Sequence, residues 1–537
     1  MLIAAVDQGS SSTKGALIDE TGAVRARAEV AVGVRRDGVS ATHDAGELFD
    51  SVRRVLVELA AAARPDAVAL ACQRSTCLLW ERESARALTP ALSWQDLSGR
   101  ERAQALEPYA PEIARRTGLR LSPYYAGSKL GLLLERNADA RRRAERGEVV
   151  AGTLDAFLVH RLTGAPSTEP GHAGRTLLYD LDEDRWDDAL CQSFGVPLVA
   201  LPELLPSAGA RGALRGEPWR GTSLDGVPLL ALLGDQQAAL VGNQSREPRA
   251  SGDVVEPTAG LPDDGGSNQG REAGVHGDVV KPAAIGERVA VVHFGTGAFA
   301  LVETGAAPLR HNGLLAAVAW SRRDAATGSH ERRFQLEGSV NSAGSAVDWA
   351  LRLRGAVADP TTELARLGDA ELDPERLPDF LPGFVGVGAP WWLPHTGATF
   401  GSLALTHDAD DILRAVLASV AQRVVDCLQA FVAAGVAPSV VRASGRLASL
   451  PALAGLVADL SGLPVEVVAE EEAGLRGAAR LAALALGADA STLAASPPLR
   501  TRREPRWPES RRVRVRARWR AFVDAAAALP AAAAPGI

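Results

Sequence analysis

Two short runs of glycine and small hydroxylated residues, each following an apolar run, are the first places in this chain where chemistry could occur. Gly9-Ser10-Ser11-Ser12-Thr13-Lys14 follows the run that starts at Leu2, and Gly295-Thr296-Gly297 follows the run that starts at Val289. Backbone N–H groups in such turns can converge on an anion. Two of them facing each other across a cleft would clamp a triphosphate, although each alone also reads as a tight hairpin turn. Asp7 stands where the first run gives way to its turn, a place for holding Mg²⁺ through water or for capping the turn. Asp235 follows the apolar run that ends at Gly234 and opens the helical pattern of Gln236-Gln237-Ala238-Ala239-Leu240. In isolation it reads as a helix N-cap. At the C-terminal end of a strand, where open α/β sheets build their sites, it reads as a general base. Phosphoryl transfer needs this set: backbone donors around the phosphates, a carboxylate for the metal, and a base for the attacking hydroxyl. The pattern GxxxxGK[ST] is absent from the sequence, which removes the P-loop class.

These groups have to be placed by ordinary elements. Leu2 to Asp7 is short and apolar enough for a buried strand, and Ala16-Leu17-Ile18 begins a second strand that meets the turn Asp19-Glu20-Thr21-Gly22. The alternation from Ala23 to Val32 is a third strand. Leu48, Phe49, Val52, Leu56 and Leu59 recur at helical spacing, with Asp44 and Glu47 placed as an N-terminal cap pair. Pro65 onward gives another strand, ending at Gln73-Arg74-Ser75-Thr76.

The segment from Arg288 to Gly305 repeats the N-terminal layout of strand, Gly-rich turn, strand and Thr-Gly turn, which points to a duplicated domain. Between the copies, 242–286 is crowded with Gly, Asp, Glu and Pro and reads as an exposed insertion or linker. The expected units are therefore 1–241, 287–487 and a Pro/Arg-rich tail, 488–537, ending in a helix docked through Trp519, Phe522 and Val523. A long helix is expected from about Asp410, and an Ala-rich one over 473–487.

At 537 residues the chain can bury at least two cores, since single cores stop growing near ~250–300 residues. Its net charge of −7 gives no overall positive field for nucleic acid. The four cysteines form no CxxC pair, so neither a disulfide framework nor a zinc site is expected. The N-terminus lacks a basic, signal-like region, and no uninterrupted apolar run approaches the ~20 residues of a membrane span. The expectation is a cytoplasmic protein with no membrane partner.

DQGSSSTKGALID, CQRST, SWQD, PYYAGSKL, GTLDAFLVHRLTG, GDQQAALVG, FGTGAF, LEGSVNSAG and GVGAPWW occur in order. This set resembles the FGGY carbohydrate kinases, most closely their glycerol kinase branch, from about Leu2 to about Gly487. The resemblance implies an α/β fold of two actin-like (ribonuclease H-like) ATPase domains, with ATP, Mg²⁺ and a small polyol or sugar meeting in the cleft between them. It implies that Asp235 is the base and that Asp7 is the carboxylate near Mg²⁺. Ser10, Ser11, Ser12 and Lys14 match the first phosphate loop, and Gly295 and Thr296 the second. Gly344 and Gly445 match glycines beside the base and ribose. Arg74, Trp94, Tyr124, Asp235 and Gln236 match the substrate pocket.

The chain departs from that pattern at three side chains. Ser75 replaces the glutamate that glycerol kinases carry directly after the pocket arginine. Ser449 replaces an asparagine near the adenine, and Asp348 stands where glutamine is usual. A ketopentose or longer polyol therefore competes with glycerol as the expected substrate. A catalytically silent sugar sensor is the reading from another class, and it would be expected to lose Asp7 or Asp235. A non-kinase ATPase of the same fold has no need of Arg74, Trp94, Tyr124 and Asp235 together. Homo-oligomerisation is left open.

Overall fold

The computed structural model describes residues 1–244, 288–324, 327–353, 363–364, 372–469, 473–488 and 498–529. Ile3 to Val6 are fully buried, as befits a strand covered on both faces. Leu2–Gln8 (β1) accordingly lies in the middle of a five-stranded sheet. On one side it pairs antiparallel with Ser12–Asp19 (β2), which carries Val24–Ala31 (β3) at the edge. On the other it pairs parallel with Ala67–Cys72 (β4), followed by Leu229–Gly234 (β5).

Val289–Phe294 (β6) repeats that setting in a seven-stranded sheet. It pairs antiparallel with Ala298–Gly305 (β7) and parallel with Val440–Gly445 (β10), which in turn pairs parallel with Val465–Val468 (β11). The sequence repeat thus extends to strand order and direction. The second sheet adds the hairpin Leu315–Arg323 (β8) and His330–Val340 (β9) at one edge. At the other edge it adds Leu499–Arg503 (β12). This is the duplicated α/β, actin-like architecture that the sequence led us to expect.

Two local readings change. The first turn is narrower than its composition implied, because Ser12, Thr13 and Lys14 already belong to β2. Thr13 is buried there, with its Oγ1 2.6 Å from Ser51 Oγ, which offsets the poor apolarity of the segment. The Pro/Arg-rich tail also contributes a strand. β12 reads LRTRR with no apolar alternation, and it is held by ladder bonds and by Arg502 Nη1 on Glu466 Oε1 at 2.6 Å.

Asp44 does cap Ala45–Ala62 (α1), accepting from Glu47 N. The tail helix Glu509–Ala527 (α5) does dock, burying Val515, Trp519 and Val523. Ala409–Ala433 (α3) is, among the described residues, the one helix long and apolar enough to cross a membrane. Its most apolar stretch is 89% buried within the protein, against the second sheet.

The two halves meet through Asp235–Asn243 (α2) and Ala473–Ala485 (α4), whose apolar residues share one core with strands of both sheets. The stretch expected as an insertion from 242 begins inside α2, and beyond Gln244 it falls outside the described residues. α2 and α4 cross backbone to backbone. A Cβ on Gly242 would stand 1.9 Å from Ala473 O, and one on Gly477 would stand 1.9 Å from Ala238 O.

Gly477→Ala should therefore lower the melting temperature clearly, at the upper end of the ~1–3 kcal/mol typical of overpacking. Gly455→Ala, also in a helix but with nothing within 4 Å of its added methyl, should be neutral or stabilising. Equal melting temperatures for the two variants would contradict the crossing.

Candidate active site

β5 ends at Gly234, and Asp235 is the first residue of α2 rather than its cap. Its Oδ1 accepts from the adjacent Gln236 N at 2.8 Å, so the N-cap reading does not describe it. Asp7 lies at the corresponding end of β1, opposite Lys14 on β2. The first turn of α4 closes over both carboxylate residues. A Cβ on Gly474 would stand 3.3 Å from Asp7 Oδ2 and 3.9 Å from Asp235 O.

Burial pushes the Asp7 carboxyl up to about 7, with Asp235 adding to the rise and Lys14 opposing it. Asp7 Oδ1 is buried with no hydrogen-bond partner. A buried carboxylate oxygen without a donor fits a divalent cation.

Arg74 follows β4 and reaches across to the second sheet. Its Nη1 donates to Glu337 Oε2 at 2.8 Å and to Gln237 Oε1 at 3.3 Å, and its Nη2 donates to Glu337 Oε1 at 3.3 Å. Its Nε lies 3.4 Å from Asp235 Oδ1. Glu337, on β9, is also ion-paired with Arg175. Burial alone would raise the Glu337 carboxyl, but Arg175 and Arg74 outweigh it and hold the group down at about 2.

Lys129 is fully buried and donates to Ser75 O at 3.0 Å and Ser93 O at 2.9 Å. It thereby ties the segment carrying Arg74 and Ser75 to the one carrying Trp94. Ser75 occupies the left-handed region at φ 65°, an uncommon state for a side-chain-bearing residue outside special sites. Gln236 Oε1 is buried without a partner beside Asp235. Tyr124 is 40% exposed, next to Tyr125, whose ring centroid lies 5.9 Å from Arg175 Cζ.

The expected nucleotide residues gather at the end of the second sheet. The Gly295 amide donates to Gly297 O at 2.8 Å, as the Gly9 amide donates to Ser12 O at 3.0 Å in the first turn. Gly344 heads a helix whose amides rest on the second turn, Gly344 N on Gly295 O and Ser345 N on Thr296 O. Gly445 takes φ 91°, and a Cβ there would meet Phe294 O at 2.3 Å. Ser449 lies just beyond, its Oγ donating to Arg446 O at 2.8 Å, while Arg446 pairs with Asp348 on the surface. In the first turn Ser11 is exposed and Ser10 and Ser12 are half-buried. A cavity of about 460 Å³ lined by Asp459, Arg502 and Arg506 shares no residue with this constellation.

Comparison with known proteins agrees with the geometry. Residues 2–242 match the N-terminal domain of the FGGY family of carbohydrate kinases, and residues 290–486 match its C-terminal domain. The chain belongs to the FGGY family of carbohydrate kinases. It is a phosphotransferase acting on an alcohol group, and the family implies ATP as its phosphate donor. A glycerol kinase of Bordetella pertussis is 32% identical over 97% of this chain and 96% of its own length. A Plasmodium falciparum glycerol kinase with ADP superposes with a TM-score of 0.81 at 21% identity, over 98% of each chain. A gluconate kinase of Lactobacillus acidophilus reaches 0.80 at 18% identity, over 98% of this chain and 99% of that one.

The sequence reading missed Glu337, Arg175, Gln237 and Lys129. Glu337 did carry a signal, as an acid in the interior-facing stretch Phe334-Gln335-Leu336, and Lys129 is likewise a lone cation among Ala, Gly and Leu. Replacing Glu337 by Gln should destabilise the protein at pH 7 by roughly 3–5 kcal/mol, because two buried guanidiniums lose their partner. The carboxyl is held below its ordinary value of 4.5, so its stabilisation is present above that pH and is lost as pH falls toward about 2. The gap in melting temperature between wild type and Glu337→Gln should therefore narrow as pH drops through that window. A gap independent of pH would contradict the pairing.

Proposed function

We propose that this enzyme transfers the γ-phosphate of MgATP to a hydroxyl of a small polyol, with a glycerol-like substrate favoured. The observation that carries this reading is the Asp235 carboxylate, at the head of α2, against Arg74 Nε and close to Asp7. In this account the substrate hydroxyl lies beside Asp235, which accepts its proton as the oxygen attacks phosphorus. Arg74, held by Glu337, donates to a substrate hydroxyl, and Trp94 and Tyr124 cover the carbon chain. Gln236 Oε1, buried and unpaired, is available to accept from a second hydroxyl. The turns at Gly9–Ser11 and Gly295–Gly297 hold the phosphates through their amides, with Lys14 beside the first. Gly344, Gly445 and Ser449 leave room for the ribose and base. Asp7 is the residue that would hold Mg²⁺, which when bound neutralises charge on the phosphates. The glycerol kinases among the relatives support the choice of a short polyol.

Asp235→Asn keeps the shape of the site and removes the base. It should lower kcat by at least ~10²-fold while leaving ATP binding nearly unchanged. Turnover close to wild type in the purified variant would defeat the assignment.

Ser75 decides how well glycerol itself fits. Where glycerol kinases place a carboxylate, this chain has a small neutral side chain, leaving space and one strong acceptor fewer. Glycerol should then be a substrate of modest affinity, with a four- or five-carbon polyol or ketose competing for the same space. Ser75→Glu should move preference toward glycerol, read as kcat/KM across that panel. A wild type that strongly prefers glycerol, and a variant in which glycerol turnover weakens, would refute this account of the pocket.

A further inference from the structure

We infer that the pocket accepts uncharged polyhydroxylated substrates and rejects sugar acids, and that Glu337 sets this selectivity by consuming the charge of Arg74 and Arg175. The inference rests on the kinase reading above and narrows its substrate class.

The fold leaves the question open, because a gluconate kinase shares it. The side chains around Arg74 answer it. A guanidinium has five N–H donors. Glu337 takes one from Nη1 and one from Nη2, Gln237 takes the second from Nη1, and Nε is turned to Asp235. One N–H on Nη2 remains. A single donor suits a hydroxyl, whereas carboxylate recognition by arginine is typically bidentate. Arg175 is also committed, through Nη2, to Glu337 Oε2, and its unpaired Nε is buried out of reach of solvent.

The charges in this cluster cancel, Arg74 and Arg175 against Glu337 and Asp235. Lys129, the nearby buried ammonium, is turned onto the Ser75 and Ser93 carbonyls. A substrate carboxylate entering here would find two like charges and no guanidinium without a carboxylate partner already, so most of its desolvation would go uncompensated. A hydroxyl, which needs one donor and one acceptor, meets no such penalty.

The test is kcat/KM for ATP-dependent phosphorylation of matched pairs: glycerol against glycerate, and five- and six-carbon polyols against the corresponding aldonates. In the wild type each neutral substrate should exceed its acid counterpart by at least ~10²-fold, the scale on which an unpaired buried charge discriminates. Glu337→Gln, which frees positive charge, should narrow that ratio by ~10-fold or more, chiefly by lowering KM for the acids, and Glu337→Asp should restore it in part. Arg175→Met, which removes positive charge, should move the ratio the other way, and it gives a second reading if Glu337→Gln does not fold. A purely structural role for either residue would lower both classes alike and leave the ratio fixed, which would overturn the assignment to Glu337. An aldonate used as well as its neutral partner by the wild type would overturn the substrate class while leaving the kinase reading intact. No ATP consumption with either class would overturn the kinase reading, and this inference with it.

Discussion

Among the glycines of the described residues, the least room for a side chain is found where two helix backbones cross. α2 and α4 touch at Gly242 and Gly477, where even a methyl group would collide with a carbonyl oxygen. Contact at that range fixes the helices in both position and rotation, because no flexible side chain lies between them to absorb a shift. Asp235 heads α2 and Gly474 lies in the first turn of α4, so the same contact sets how the Asp235 segment and Asp7 meet. A core of small residues, Ala5, Ala16, Ala69, Ala71, Ala238, Ala478 and Ala482, extends this closeness into the first sheet, and Val289, Val291 and Leu301 join it from the second. The two halves therefore share one interior around these helices, and the carboxylates sit at its rim.

A second tie crosses the halves on the substrate side. Arg74 comes from the first sheet and Glu337 from the second, 263 residues away. Three charged groups this deeply buried are costly unless each is matched, and here each meets an opposite charge within hydrogen-bond reach. The arrangement holds the Arg74 fork in one orientation while Lys129 fixes the backbone on which it sits. In the proposed function substrate recognition would thus depend on both halves, although the residues that would touch the substrate all come from the first.

What the sequence disclosed follows from the range of the forces involved. β1, α1 with its Asp44 cap, α3 and the start of α2 at Asp235 are dictated by neighbours within a few residues, and they were legible as such. The motif set around Asp7, Arg74, Asp235 and Gly295 marked the site because those residues keep recognisable company along the chain. Glu337 and Arg175 have meaning only after Arg74 has been brought to them, and the roles of Gly242 and Gly477 exist only once two helices cross. β12 was illegible for a related reason. Its arginines carry no alternation, and its place at the sheet edge comes from pairing with β11 and from Glu466. The width of the first turn was misjudged because Thr13 is buried by a hydrogen bond to Ser51, a partner that composition does not show.

Duplication explains why there are two Gly-rich turns, and divergence between the copies explains why the site has a direction. β1 and β6 are equivalent in their sheets, and each leads into a turn closed by a single backbone hydrogen bond. Next to those turns the copies differ. The first sheet ends its three parallel strands in Asp7, Arg74 and Asp235, or within two residues of them, and so gathers charge at the place where the proposed reaction would take a proton from the substrate hydroxyl. The second ends the matching strands at Phe294, Gly445 and Val468, with no carboxylate within one residue of those ends and, at Gly445, no side chain. The position matching Asp7 is His293, whose Nδ1 is engaged with Ser444 Oγ at 3.1 Å rather than left unpaired. Polyphosphate can be held by amides from either copy, because both keep the turn. Only the first copy carries carboxylates within one residue of these strand ends, Asp7 and Asp235, and that difference favours the proposed placement of the acceptor alcohol in the first half and of the nucleotide's base and ribose in the second.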